Sequence, residues 1–295
     1  VGETMANSLR EVKQRISSTE STAQITKAMY MVSSSKVKKA ERIYKGYQDF
    51  MVRKADLVRQ MVAKSNEDYI HPLLKERPVG KTAYLLVTSD RGLAGAYNSS
   101  IYKAFEERLK ETSQDNENII CGAIGKQGFA YLKRKGYPLI SDAPTLVRDD
   151  VLFIDVLPLA NSFIDSYLSG AIDKLVIIYN HYINSLSLEI RFEELLPITS
   201  LEKMESPREY IYETGIEKTL DIVLPMYIQD MIYGIILDAK VSEHSARMNS
   251  MRNATDNATE VIAKLQLLYN RARQGAITTE LIDIIGGANA IGGDA

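Results

Sequence analysis

The sequence predicts an α/β chain in which a long antiparallel coiled coil, made by the N- and C-terminal segments, carries an inserted α/β domain of Rossmann-like type. Three observations predict it. The first and last sixty or so residues are almost free of helix breakers. Both stretches place apolar residues at alternating spacings of three and four. The block between them alternates β-rich runs with helical ones.

From Ala6 to about Ser65 there is no proline and one glycine, Gly46. At ~1.5 Å per residue such a helix runs roughly 90 Å, many times the average globular helix. Leu9, Val12, Ile16, Thr19, Ala23, Thr26, Tyr30, Ser33, Val37, Ala40, Tyr44, Tyr47 and Met51 keep a strict 3,4 alternation, the seam of a left-handed coiled coil. Small and hydroxylic seam residues (Thr19, Ala23, Thr26, Ser33) let a partner backbone approach closely. The repeat alone fits an ordinary long coiled coil equally well. Ile25, Met29 and Val32 carry the same spacing about 200° around the helix. A helix apolar on opposite faces is normally enclosed by protein, so a second partner is expected around this stretch. Lys27, Lys36, Lys38, Lys39 and Arg42 add a basic flank that is either solvated or turned to an acidic partner.

In the middle block, Ala83–Ser89 reads as a strand, Ser100–Lys110 as a helix, Asn118–Ile124 as a strand and Lys126–Lys135 as a helix. Val156–Leu168 follows as a crossover helix, then strands Lys174–His181 and Ser187–Glu193 about a loop at Ile183 and Asn184. After Pro225 no proline remains, and Met226–Ile285 holds only Gly234 and Gly275, so a second long helix is expected. Ile228, Ile232, Ile235, Ala239 and Ala246 fit one heptad frame; Met251, Ala254, Ala258, Val261, Leu265, Leu268 and Ala272 fit another. The supercoil should therefore change near Arg247–Arg252, and Gly286-Gly287 should end the helix. A coil interrupted by a domain must pair antiparallel, because the chain leaves along one helix and returns along the other. The expected divisions are 5–70 and 211–287 for the two helices, 75–210 for the α/β domain and 288–295 for a flexible tail. Val1–Thr4 are set aside as an upstream remnant before the plausible start Met5.

Composition excludes several function classes. With 36 basic against 38 acidic residues, the chain has no broad positive field for nucleic acid or a membrane surface. Cys121 is the single cysteine, so no internal disulfide or thiolate zinc site can form, and the cytoplasm is the default compartment. No apolar run approaches the ~20 residues of a membrane span, and no secretory signal is expected. Any membrane association should come through partners.

Chemical sites are thin. Gly80-Lys81-Thr82 resembles the end of a phosphate loop, but Lys75 stands where that motif needs glycine, and the triplet precedes a strand. Ser89–Gly95 and Gly122–Gly128 lack full dinucleotide spacing and read as tight turns. His71, His181 and His244 lack ligand spacing, which suits solvent-facing or hydrogen-bonded roles, and Cys121 reads as core. Asn98-Ser99-Ser100 and the two Asn-Ala-Thr triplets match glycosylation acceptors only by accident if no signal peptide exists. No catalytic residue, cofactor or metal is expected. A free-standing nucleotide-dependent enzyme and a coiled-coil scaffold or adaptor remain as rival classes.

The wording of the helices goes further than their period. Ile25-Thr26-Lys27-Ala28-Met29-Tyr30-Met31-Val32-Ser33-Ser34-Ser35-Lys36, the turn Ser89–Gly95, Ala254-Thr255-Asp256-Asn257-Ala258 and the stretch Leu265–Thr278 resemble, in order, the signatures of gamma subunits of F-type ATP synthases, of bacterial type. The likeness spans Met5 to Ala290. It implies a non-catalytic shaft inserted through a ring of alternating alpha and beta subunits, turned by a proton-driven membrane c-ring, on the cytoplasmic face of the cell membrane. It further implies an apolar sleeve receiving Ile277, Leu281, Ile282, Ile284 and Ile285, and polar contacts from Arg273 and Gln274 to a catch loop of a beta subunit. Lys27, Met29 and Lys36 would lie near acidic lever loops of the beta subunits. Tyr210, Ile211, Tyr212 and Glu213 would meet the c-ring and the epsilon subunit.

Overall fold

The computed structural model describes residues 2–65, 70–146, 148–199 and 215–292. Its elements run α1 (Gly2–Lys64), β1 (Thr82–Val87), α2 (Tyr97–Glu111), β2 (Ile119–Ile124), α3 (Lys126–Lys135), α4 (Phe153–Leu168), β3 (Lys174–Tyr182), β4 (Leu188–Leu196) and α5 (Ile216–Gly292). The long helices count 63 and 77 residues. The chain divides into two compact units, Val1–Val32 with Met248–Ala295, and Ser33–Arg247. The division at Arg247 falls where the heptad frame of α5 shifts.

In the first unit the outer parts of α1 and α5 pair. From Leu9 to Tyr30 each expected seam residue of α1 is half-buried, while most residues between them face solvent. The Thr26 and Thr255 hydroxyls meet at 2.8 Å across the pair. Thr19 and Thr255 also donate to carbonyls four residues back, Arg15 and Met251. Such back-bonding satisfies a seam hydroxyl without a partner donor. The facing frame on α5 is partly a correction. Met251, Ala258, Leu265 and Ala272 turn inward, but Val261 and Leu268 are exposed, and Ile262 and Tyr269 take their places. Both frames satisfy a 3,4 repeat, so the partner helix decides between them.

The second unit holds a four-stranded sheet of order β2-β1-β3-β4, with β1 parallel to both β2 and β3 and β4 antiparallel to β3. Alternation along the strands splits its core. Tyr84, Leu86, Val176 and Ile178 pack with α2 and α3. Ala83, Leu85, Leu175 and Ile177 pack with α4 and the inner parts of α1 and α5. Every β1 residue is buried, as a strand covered on both faces requires. Close packing fixes Gly122, since a Cβ there would stand 2.7 Å from the Phe163 ring. Cys121 lies buried in β2 as expected.

Helix α5 runs past its expected C-terminal stop, and it carries a proline near its start. It begins at Ile216 and passes through Pro225. A mid-helix proline costs about 3 kcal/mol. Leu220 and Leu224 are fully buried beside it, each contributing about 1.5–3 kcal/mol, so their packing offsets the proline. Gly286-Gly287 do not end the helix, which continues to Gly292 and through most of the expected tail. Glycine weakens a helix by about 1 kcal/mol but keeps its N–H donor, so it need not stop one. Similarly, α4 starts at Phe153 and includes Pro158. One stretch of α5 is apolar and long enough to cross a bilayer, but half of it is buried inside the fold, as befits a core helix.

Candidate partner-binding surfaces

The first unit presents two kinds of surface. Along α1, Ile25 and Val32 of the second apolar face are more than half exposed, as is Met31 next to Val32. Met29 is half-buried and Lys27 exposed beside it. A groove of about 570 Å³ opens between the paired helices here, lined by Ala23, Lys27 and Tyr30 from α1 and by Arg252, Asp256 and Thr259 from α5. Further along α5, Arg273 and Gln274 are exposed, and Ile277, Leu281, Ile282, Ile284 and Ile285 form an uncovered apolar run at 49–62% exposure. Solvent-facing isoleucines in such number mark a surface meant for covering.

In the second unit Lys36 is half-exposed and paired. Its Nζ donates to Asp149 at 2.6 Å, and the Asp149 carboxylate also lies 3.5 Å from His244. Burial opposes ionisation of Asp149, yet Lys36 and its neighbours hold the carboxyl below the usual range. Tyr210, Ile211, Tyr212 and Glu213 lie outside the described residues.

The strongest feature of this unit was not expected. Residues 235–245 of α5 are buried on every face, although Asp238, Lys240, Ser242, Glu243, His244 and Ser245 are polar. Each acidic group has partners. Asp230 takes bonds from Lys54 and, at 2.9 Å, from the Tyr47 hydroxyl. Asp238 meets His181 Nδ1 at 2.5 Å and accepts from the Tyr182 amide at 2.9 Å and the Tyr44 hydroxyl at 3.1 Å. Burial raises the Asp238 carboxyl, against the pull of these bonds. Glu243 is held by Lys240 at 2.9 Å and Arg247 at 2.8 Å. Burial pushes its carboxyl up, but the two cations outweigh this and keep it below the ordinary value. Polar residues inside a helical run read from sequence as a solvated face; the partners of Asp230 and Asp238 come from α1 and from the end of β3, far away in the chain.

Among the described residues the candidate chemical motifs are occupied by the fold itself. The Gly80 and Lys81 amides, the candidate phosphate cradle, already donate to the Asp173 carboxylate at 2.9 and 3.0 Å. Arg77 braces that carboxylate at 3.3 Å. At the second glycine turn, Gly125 has φ +89, and the Lys126 amide donates to Asp90. All three histidines are engaged within the fold: His71 accepts from the Leu73 amide, His181 meets Asp238, and His244 is buried near Asp149. Among the described residues no group of three metal-ligating side chains gathers.

Paired long helices with an α/β body and uncovered apolar faces define a protein that works through contacts with other chains. The family model described as ATP synthase matches residues 8–291, and the chain belongs to that family, the gamma subunits of ATP synthases. Solved chains are similar in fold. One from Tetrahymena thermophila mitochondrial ATP synthase, central stalk and c-ring, is 26% identical with a TM-score of 0.59, covering 78% of this chain and 99% of that one. One from the Euglena gracilis mitochondrial ATP synthase, OSCP/F1/c-ring, is 19% identical with a TM-score of 0.66, covering 98% and 97%. A second Euglena gracilis chain, from the rotor of that enzyme, is 16% identical with a TM-score of 0.63, covering 92% and 99%.

Proposed function

We propose that this chain is the central rotor stalk of an F-type ATP synthase, coupling proton-driven rotation of a membrane c-ring to conformational change in a catalytic ring of alpha and beta subunits. The family match running from the first turns of α1 to the last turns of α5 carries this reading. The chain is non-catalytic, and a general scaffold or adaptor is not favoured. Its partners are the alpha/beta ring, the epsilon subunit and the c-ring; it belongs to a membrane-associated complex and has no nucleic-acid role. Its finer position is peripheral, on the cytoplasmic face of a cell membrane, without inserting.

A pair of helices has no threefold symmetry, so it cannot meet three equivalent catalytic subunits alike. Each orientation then stabilises a different state in each subunit, and rotation becomes an ordered series of binding changes. Residues 5–70 and 211–287 serve as the shaft, and 75–210 as the body nearest the c-ring. Ile277, Leu281, Ile282 and Ile285 turn inside an apolar sleeve; their exposure supports this. Dispersion contacts without fixed ion pairs let a surface slide. Arg273 and Gln274 reach a catch loop of a beta subunit. Lys27 and Met29, beside the groove, meet acidic lever loops, and Lys36, half-exposed, meets them too. Tyr210, Tyr212 and Glu213 face the c-ring and epsilon.

Tagged chain purified from its native membrane should bring down alpha and beta subunits. Changing Ile282→Asp with Ile285→Asp should leave the fold of the isolated chain intact, because both side chains are exposed, while coupled ATP synthesis falls. Unchanged synthesis in that variant would count against a close sleeve.

A further inference from the structure

In open α/β sheets of order 2-1-3, ligands bind outside the carboxyl ends of the strands, in the crevice between β1 and β3 where connections leave in opposite directions. The sheet here has that order. The crevice is filled by the chain itself. From the β1 side, the Tyr97 hydroxyl donates to the Ala239 carbonyl at 3.1 Å, and Arg247 donates to the Arg91 carbonyl at 3.2 Å. From the β3 side, His181 and the Tyr182 amide hold Asp238 at 2.5 and 2.9 Å, and Ser245 donates to the Ser185 carbonyl at 2.8 Å. Asn180 closes the gap between the strands by donating to the Tyr97 carbonyl at 2.9 Å.

We propose that α5 takes the ligand position of the α/β body, and that Asp238, clamped by His181, the Tyr182 amide and Tyr44, is the positioning residue that pins the shaft to that body and so carries torque between them. The inference rests on the rotor reading. The chemistry suits the task. An apolar contact slides at little cost, as a bearing should, whereas a buried carboxyl held by three hydrogen-bond partners has one geometry and resists rotation about the helix axis. Asp238 is also bonded from both directions: Tyr44 belongs to α1 and His181 to β3, so one carboxylate ties both shaft helices to the sheet. The buried pair Glu243–Arg247 adds a second tie to the β1 turn, less than three helical turns further on.

The test uses the whole ATP synthase containing this chain, comparing Asp238→Ala, His181→Ala, their double variant and the shape-conserving Asp238→Asn. The readout is protons pumped per ATP hydrolysed, with the amount of assembled gamma subunit measured separately by quantitative immunoblot. Loss of the charged hydrogen-bonded partner should lower that ratio clearly in Asp238→Ala, and by less in Asp238→Asn, which keeps the shape but not the charge. His181→Ala should add little on top of Asp238→Ala, because the pin is already gone. A merely structural role lowers the amount of assembled gamma and leaves the ratio alone, and that result overturns the pin. Should Asp238→Ala fail to assemble, Asp238→Asn decides: a wild-type ratio there also overturns it. Failure of the wild-type chain to join an alpha/beta ring would instead refute the rotor reading before any variant is scored.

Discussion

Removing the Glu243 carboxylate should destabilise the second unit more than any surface change could. Glu243 is 4% exposed, and the Lys240 and Arg247 side chains that it neutralises are 9% and 11% exposed. In Glu243→Ala two cations stay buried without their anion, a situation that costs about 3–5 kcal/mol. Arg247 keeps the Arg91 carbonyl as an acceptor, which places the expected loss toward the lower end. For a domain of this size that corresponds to a fall in Tm of roughly 6–20 °C, read by far-UV circular dichroism of the purified chain. The companion variant Lys240→Met, Glu243→Leu, Arg247→Met removes all three charges and should return to within about 2 kcal/mol of wild type, because burial of charge is itself costly. A shift below ~2 °C in the single variant would refute the reasoning, since it would mean the two cations reach water.

Gly125→Ala combines φ +89 with a Cβ 2.5 Å from the Thr88 carbonyl oxygen, so it should cost at least ~2 kcal/mol in chemical denaturation. Gly136→Ala, with φ +75 but open space around it, should cost only about 1 kcal/mol; equal losses would show that the contact with Thr88 does not matter. Burial pushes the His244 imidazole down to about 4 from its ordinary 6.5, against the nearby charges of Glu243 and Asp149. The unfolded chain therefore binds the proton first: stability is intact above pH 6.5 and drains away as pH falls toward 4, by roughly 3 kcal/mol. A His244→Gln variant should flatten that part of the stability profile, and an unchanged slope would assign it to other groups.

The α1 seam was legible because a period of three and four repeats over many turns and needs only one face to be buried. The α5 seam was half legible. Met251, Ala258, Leu265 and Ala272 belong to both possible frames, and only the opposing helix selects Ile262 and Tyr269 over Val261 and Leu268. The proline signal failed because packing around Leu220 and Leu224 overrides a local penalty, and the glycine signal failed because glycine weakens a helix without removing its N–H donor. The buried ties at Asp230 and Asp238 left no local mark, since a carboxylate on a helix looks the same whether its partner is water or a distant tyrosine; the Lys240–Glu243–Arg247 spacing was visible, but its burial was not. The apolar run from Ile277 to Ile285 was visible as residues, but what covers it belongs to another chain.

Pairing of α1 with α5 joins residues 183 positions apart at Tyr47 and Asp230. A ribosome adding about 5–20 residues per second therefore needs roughly 10–40 s between making the two sides of that contact. Throughout this interval the newborn N-terminal segment has apolar stripes and no mate. Its biogenesis is accordingly a problem of timing: a chaperone or an early assembly partner must shield the first helix until the last one emerges, and aggregation during synthesis should rise steeply when translation is slowed within the intervening domain.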